Sequence, residues 1–220
     1  MLAKNPSMDI ARDKLTAKLK ELGVNQRVLE VMGKVPREGF VSKAFQEEAY
    51  KNEALPIGES QTISQPYVVA LMTHALDVHH NHKVLEIGTG CGYQTAILCK
   101  MARRVFTVER FATLSKGADA RLHQLGYHNF ITKVGDGSLG WQEQAPFDRI
   151  MVTAAAPEVP SALLEQLGED GVLVIPIGQQ SDEYQKLMRY YRRQDGSIGE
   201  YYLGEVKFVP LVGEQGVKIA

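Results

Sequence analysis

The sequence predicts a doubly wound, mostly parallel α/β sheet with N-terminal helices before it and an antiparallel hairpin after it. Three features of the 220 residues carry that reading. Five apolar runs rich in β-branched residues, VLEI (84–87), VFTV (105–108), FITKV (130–134), RIMV (149–152) and VLVIPI (172–177), are separated by helix-length segments or longer loops. Continuous apolar strands that alternate with helices mark a parallel sheet covered on both faces. The first run enters glycines at every second position, Gly88, Gly90 and Gly92, the form of a tight strand-to-helix turn. Near the end, KLMRYYRR (186–193) and YYLGEVKFVP (201–210) flank the turn residues DGS, which reads as a hairpin closing one edge of the sheet.

In chain order, Ala11, Leu15, Leu19 and Leu22 fall on one helix face that Gly23 stops. Asn25 caps a second helix through Val28, Leu29 and Met32 that ends before Pro36, and a third short helical stretch surrounds Phe45. The segment from Lys51 to Thr62 has no clear periodicity. Ser64 before QPYVVALMTHAL reads as the N-cap of an amphipathic helix beginning at Gln65, with Pro66 tolerated in its first turn. One domain is expected over residues 1–220, helical in 1–82 and built as sheet and hairpin in 83–220. Residues Met1 to Met8 match no motif.

Composition excludes several function classes. A net charge of −1 gives nucleic acid no electrostatic footprint. No apolar run approaches a membrane span, and the opening MLAKNPSMDIARDK lacks the apolar core of a signal peptide, so a cytoplasmic protein without a membrane partner is expected. Cys91 and Cys99 form no CxxC pair, which argues against a disulfide framework or a zinc site and for a reducing compartment. His79, His80 and His82 lie in a polar stretch and read as a solvated loop, so no metal is expected. Trp141, Phe147 and the pairs Tyr190-Tyr191 and Tyr201-Tyr202 read as packing residues.

In a doubly wound sheet the ligand lies outside the carboxyl ends of the strands, beside the first strand-helix turn. Three strand ends there carry acids: Glu86, Glu109 (seventeen residues beyond Gly92) and Asp136. An acid after the second strand belongs where ribose hydroxyls bind. The turn is GxGxG and not the GxGxxG of a pyrophosphate site, and carboxylates would repel two phosphates. A cationic, phosphate-free nucleoside meets no such cost, and S-adenosyl-L-methionine is one. The plainer alternatives are a tight turn without a ligand, and for Glu109 and Asp136 a solvated loop acid or a helix cap. Cys91 reads as a small turn residue without a partner base.

Six segments, LPIGESQTISQP (55–66), VLEIGTGCGYQTAIL (84–98), GDGSLGW (135–141), FDRIMVTAAAPEVP (147–160), GVLVIPIG (171–178) and FVPL (208–211), resemble the bacterial protein-L-isoaspartate O-methyltransferases in the family's order. The glycine turn is common to class I methyltransferases, whereas TIS-x-P and the terminal FVPL are more specific. The resemblance implies a Rossmann-like fold whose residues 1–82 include the substrate side. It implies transfer of a methyl group from S-adenosyl-L-methionine to the α-carboxylate of an isoaspartyl residue in damaged proteins and peptides. The ester then collapses to a succinimide, and hydrolysis returns some normal aspartate.

By the same resemblance the active-site serine falls on Ser64. Gln61, Thr62 and Ile63 match the cofactor-side segment, and Glu86, Gly88, Gly90, Cys91, Gly92, Glu109, Arg110, Asp136 and Gly137 match the cofactor cradle. Gly58, Thr62, Ser64, Val209, Pro210 and Leu211 are expected on the substrate. Cys91 replaces a serine common in relatives, and Val69 stands where some members carry a histidine. A carboxylate acceptor is already ionised at neutral pH, so no general base is required. A monomer is expected. The alternative reading is a class I methyltransferase for a small molecule or RNA, weakened by the absence of an NPPY-type motif.

Overall fold

A computed structural model of the chain describes residues 6–218. The first five of the eight residues Met1 to Met8 lie outside the described residues. Helix α1 (Pro6–Glu21) buries Leu15 and Leu19 and ends at Gly23, whose φ of +84° lets Val24 N–H return to the Leu19 carbonyl at 3.2 Å. Leu22 departs from the expected face: it lies beyond the helix end and is 48% exposed. Helix α2 (Gln26–Met32) is capped by Asn25, whose side-chain oxygen accepts from Val28 N at 2.9 Å. The stretch at Phe45 is a 3-10 turn, Lys43–Glu48.

The segment without periodicity is a small antiparallel hairpin, β1 (Leu55–Gly58) and β2 (Gln61–Ile63). Its strands are too short for alternation to register, and Pro56 and Gly58 interrupt the first. Glu59 and Ser60 both hold left-handed backbone, φ 50° and 56°, the geometry of a tight two-residue hairpin turn. Helix α3 (Pro66–Leu76) follows, and the capping assignment to Ser64 is wrong. The N-cap residue is Gln65, which makes no side-chain capping bond, and the Tyr67 N–H instead donates to the Asn52 side-chain oxygen at 2.9 Å. Gln65 in turn donates to the Asn52 carbonyl at 2.8 Å, so a preceding loop performs the cap.

The main sheet contains β3 (Lys83–Ile87), β4 (Arg104–Glu109), β5 (Phe130–Val134), β6 (Phe147–Val152), β7 (Leu167–Ile177), β8 (Gln185–Arg192) and β9 (Ile198–Val206), in the order β5-β4-β3-β6-β7-β8-β9. The first five are mutually parallel, and β8 and β9 add antiparallel at the edge as the expected hairpin. Helix α4 (Tyr93–Met101) follows β3, α5 (Ala112–Gln124) follows β4, and α6 (Ser161–Glu165) precedes β7. Strand residues alternate between two cores. Val84, Val105, Val172 and Val174 pack with residues of α1 to α5, while Leu85, Phe106, Leu173 and Ile175 pack with Leu163 of α6 and Leu211 of the tail. Burial on both sides is why these runs are apolar throughout.

The order reverses at β3: the chain proceeds to β4 and β5 on one side and to β6 and β7 on the other. At such a switch point the following loops diverge and leave a crevice. Tyr201 and Tyr202, expected as packing residues, are 64% and 50% exposed on the edge strand β9, whereas Phe147 and Tyr190 are buried as expected. Neither left-handed residue of the β1–β2 turn is glycine, and each such position costs roughly 1 kcal/mol. Ser60→Gly is therefore expected to raise unfolding stability by about 0.5 to 1 kcal/mol, read as a higher denaturant midpoint at unchanged slope.

Candidate active site

The glycine turn lies in the crevice at the end of β3. Gly88 has φ +95°, and a Cβ there would run into the Thr153 hydroxyl, whose single hydrogen is shared between the Ile87 and Gly88 carbonyls at 3.0 and 2.8 Å. Gly92, φ +89°, opens α4, and a Cβ there would stand only 3.3 Å from Ala118 and Leu122 on α5. These positions exclude side chains for two reasons at once, conformation and space.

The three acids at the strand ends have three different situations. Glu109, 6% exposed, accepts the Gly90 N–H at 2.8 Å on one oxygen and the Phe111 N–H at 3.0 Å on the other. It lines the pocket with acceptor capacity left over. Glu86 is absent from the pocket wall and fully buried behind the turn, so the structure does not bring it to the cofactor side. One of its oxygens accepts from Thr95 and Thr107 hydroxyls at 2.6 and 2.7 Å, and the other has no partner among the described residues. Thr107 spends its single hydrogen on Glu86, so Thr89, 2.6 Å from it, is the donor of that pair. Burial outweighs these bonds and raises the Glu86 carboxyl to about 7.

Asp136 is also absent from the wall, where its neighbour Gly137 is present. Its carboxylate accepts from Ser138 N–H at 2.9 Å and Ser138 hydroxyl at 2.7 Å, and from Glu214 N–H at 2.7 Å. Ser138 Oγ in turn accepts the Gln215 N–H at 3.0 Å. Asp136 thus clips the C-terminal segment over the site. Gln215 completes the clip by accepting the Ala162 N–H of α6 at 3.0 Å.

Two segments outside the main sheet close the pocket. From the β1–β2 hairpin come Ile57, Gln61, Thr62, Ile63 and then Ser64; from the tail come Val209, Pro210, Leu211 and Val212. The hairpin tip is held by Thr113 of α5, whose hydroxyl donates to the Glu59 carboxylate at 2.6 Å. Gly58 faces a neighbouring hollow with Phe45 and Thr113, not this pocket, and Gly92 is likewise absent from its wall. Gly88, Gly90, Cys91, Glu109, Arg110 and Gly137 are all brought to it, as are Gln61, Thr62 and Ile63. Val69 lines it too.

Ser64 stands where the pocket meets an outward groove lined by Asn52, Glu53, Tyr67, Tyr184, Lys207 and Phe208. Its hydroxyl makes no hydrogen bond among the described residues, while its carbonyl accepts from Arg37 Nη2 at 2.9 Å. Sequence reasoning missed Thr153, although a threonine directly after the β6 run sits as Gly88 does after β3. Arg37 carried no sequence signal.

The wall suits a cationic nucleoside. Arg110 is its only basic side chain among the described residues, and Glu109 is a fixed acceptor for paired hydroxyls. No group of three or more His, Cys, Asp or Glu among the described residues is arranged to hold a metal; His79 pairs with Asp77 at 3.3 Å and packs against His82. No helix among them is long and apolar enough to cross a membrane.

A family model described as Protein-L-isoaspartate(D-aspartate) O-methyltransferase matches residues 10–216. The Protein-L-isoaspartate O-methyltransferase of Dictyoglomus turgidum is 51% identical over 214 residues, 97% of this chain and 96% of that one. Its counterpart in Rhodospirillum rubrum is 51% identical over 201 residues, covering 90% and 91%. Among solved structures, a protein-L-isoaspartate O-methyltransferase matches with a TM-score of 0.84 at 30% identity over 93% of this chain and 67% of that one. A Plasmodium falciparum chain assigned to the same enzyme, in complex with S-adenosyl-L-homocysteine, gives 0.75 at 26% over 89% and 95%.

The buried carboxyl of Glu86 makes stability depend on pH. Its folded value of about 7 lies above the ordinary 4.5, so between these the folded state holds a proton that the unfolded chain has released. Its contribution is complete at low pH and lost as pH rises through about 7. Glu86→Gln is expected to flatten this fall and to gain about 1 to 3 kcal/mol on the wild type at alkaline pH, read by denaturant unfolding across the pH series.

Proposed function

The chain belongs to the protein-L-isoaspartate O-methyltransferase family, and from that premise we propose how its residues divide the reaction. The protein is an enzyme that uses S-adenosyl-L-methionine to methylate the α-carboxylate of L-isoaspartyl residues in damaged proteins. The cofactor supplies an electrophilic methyl group on a sulfonium. Glu109 takes the ribose hydroxyls, since its two backbone bonds orient it and leave lone pairs free. The glycine turn offers bare backbone, and Gly137 a close wall where a Cβ would strike Ile87. Glu86 acts from behind, through Thr107 and Thr89, rather than on the ligand. Asp136 acts through the tail it clips.

Ser64 donates its hydroxyl to one oxygen of the acceptor carboxylate and aims the other at the methyl group. The observation that carries this role is a serine free of any capping duty at the junction of pocket and groove. No proton has to be removed from an ionised acceptor. The hairpin and the tail exclude water, which favours neutralisation of an anion by a cation. The groove takes the neighbouring peptide, with Val209 at its inner end. We read the protein as one domain, a monomer of the cytoplasm without a nucleic-acid partner. Both cysteines are free and buried, which supports the compartment, and the net charge of −1 supports the absence of a nucleic-acid partner.

Ser64→Ala is expected to lower kcat by roughly tenfold to a hundredfold while leaving S-adenosylhomocysteine affinity and the unfolding midpoint unchanged, because no cap is lost. A variant that turns over normally would remove Ser64 from the chemistry. Glu109→Ala should weaken cofactor binding by about 1 to 3 kcal/mol in calorimetry. A radiolabelled methyl assay on matched peptides should label the isoaspartyl and not the aspartyl form, with the label released as methanol in mild alkali. Alkali-stable label would place the methyl on nitrogen or carbon instead.

A further inference from the structure

Arg37 is fully buried, at 0% exposure, and faces no acid. Its Nε donates to the Ala49 carbonyl at 2.7 Å and its Nη2 to the Ser64 carbonyl at 2.9 Å. The guanidinium lies 5.0 Å over the Tyr93 ring, and Nη1 has no hydrogen-bond partner among the described residues. The ionisable groups with the largest influence on it are Tyr93, Cys91 and Tyr50, and burial raises all three, so none supplies an anion at neutral pH. Burial pulls the guanidinium below its ordinary value, yet an arginine stays charged in a protein. A buried charge is costly unless paired, so a lone one calls for a reason.

The neighbours of Arg37 supply that reason. Ser64, Cys91 and Tyr93 all line the pocket, and Ser64 also lines the groove that opens from it. The guanidinium does not reach the wall itself; it stands behind these residues in a region of low dielectric, where a charge acts strongly.

We propose that Arg37 is a positioning residue that fixes Ser64 through its carbonyl and gives the acceptor end of the pocket a positive potential selecting an ionised carboxylate over neutral groups. Methyl transfer cancels the acceptor's charge, so the same potential holds the substrate and releases the neutral ester. The inference rests on the acceptor binding beside Ser64.

The test compares an isoaspartyl peptide with the same peptide bearing an α-carboxamide, both bound to the enzyme saturated with S-adenosylhomocysteine. Wild type is expected to prefer the carboxylate by about tenfold or more. Because the charge is buried, the preference should survive salt up to about 1 M, where exposed charges are screened beyond about 3 Å. Arg37→Met should bring the ratio close to one with S-adenosylhomocysteine affinity unchanged, and Arg37→Lys should keep most of it. A preference that persists in Arg37→Met, or that is missing or salt-labile in wild type, overturns the proposal. Equal loss of cofactor-product affinity in Arg37→Met would mark a merely structural strut. Should Arg37→Met not fold, the wild-type salt series and Arg37→Lys decide. A pocket that binds neither peptide sinks the acceptor placement at Ser64, whereas equal binding of both sinks only the role of Arg37.

Discussion

The Glu109 carboxylate, at the end of β4, accepts the backbone N–H of Gly90 in the turn after β3 and of Phe111 at the start of α5. Neither N–H has a partner within the sheet, since both lie where the chain leaves it. One acid therefore ties two neighbouring strand ends together and sets the shape of the crevice between them. Charge-assisted bonds of this kind are about twice as strong as neutral ones. They hold a turn whose glycines would otherwise be its most mobile part, and they orient the same carboxylate toward the pocket. Position of the turn and orientation of the acceptor are one interaction, so neither can change alone.

The rest of the site is attached to this frame by polar side-chain clips and, for the tail, by backbone bonds from Ala155 N–H to the Val209 carbonyl at 2.8 Å and from Leu211 N–H to the Ala155 carbonyl at 2.7 Å. The hairpin β1–β2 crosses above the turn and is held to α5 by Glu59 and Thr113. The tail crosses from the other side and is held by Asp136, Ser138 and Gln215. Ile57 and Leu211 then close the pocket with apolar surface. Packing supplies closure, and the clips together with the Ala155 backbone bonds supply register, which is why two segments far apart in sequence meet over one cavity.

Legibility in the sequence followed the physics of each element. The buried strands were readable because both faces are covered: FITKV coincides with β5, and VLEI and VFTV fall within β3 and β4. The β1–β2 hairpin was not, since three- and four-residue strands give no period to detect. Ser64 has the right residue type for a cap but stands one position before the N-cap, and the capping oxygen comes from Asn52, which no local pattern announces. Within the site, spacing after the glycine turn pointed to Glu109, and the structure places it in the pocket wall. Glu86 and Asp136 were legible as strand-end positions but their hydrogen-bond partners were not, because whether a strand-end acid meets the strand behind it or a returning tail depends on contacts distant in sequence.

A methyl donor endangers any thiolate beside it, and Cys91 lies in the pocket wall. The fold answers by burial: the thiol is raised above its ordinary value, its largest influence being desolvation, against which the nearby Arg37 and Arg121 charges are smaller. Tyr93, also in the wall, is pushed up to about 12 by the same cause. A protonated thiol and phenol are poor nucleophiles. Ser64, which lines both pocket and groove together with Thr62 and Thr153, is a weak nucleophile without a base. Histidine and lysine are absent from the wall among the described residues, and its carboxylate, Glu109, is engaged through both oxygens by backbone N–H groups. Suppression of Cys91 and Tyr93 by burial leaves carboxylates as the strongest nucleophiles in the pocket, and Glu109, the one in the wall among the described residues, has both oxygens held by backbone N–H groups, so position decides which carboxylate meets the sulfonium.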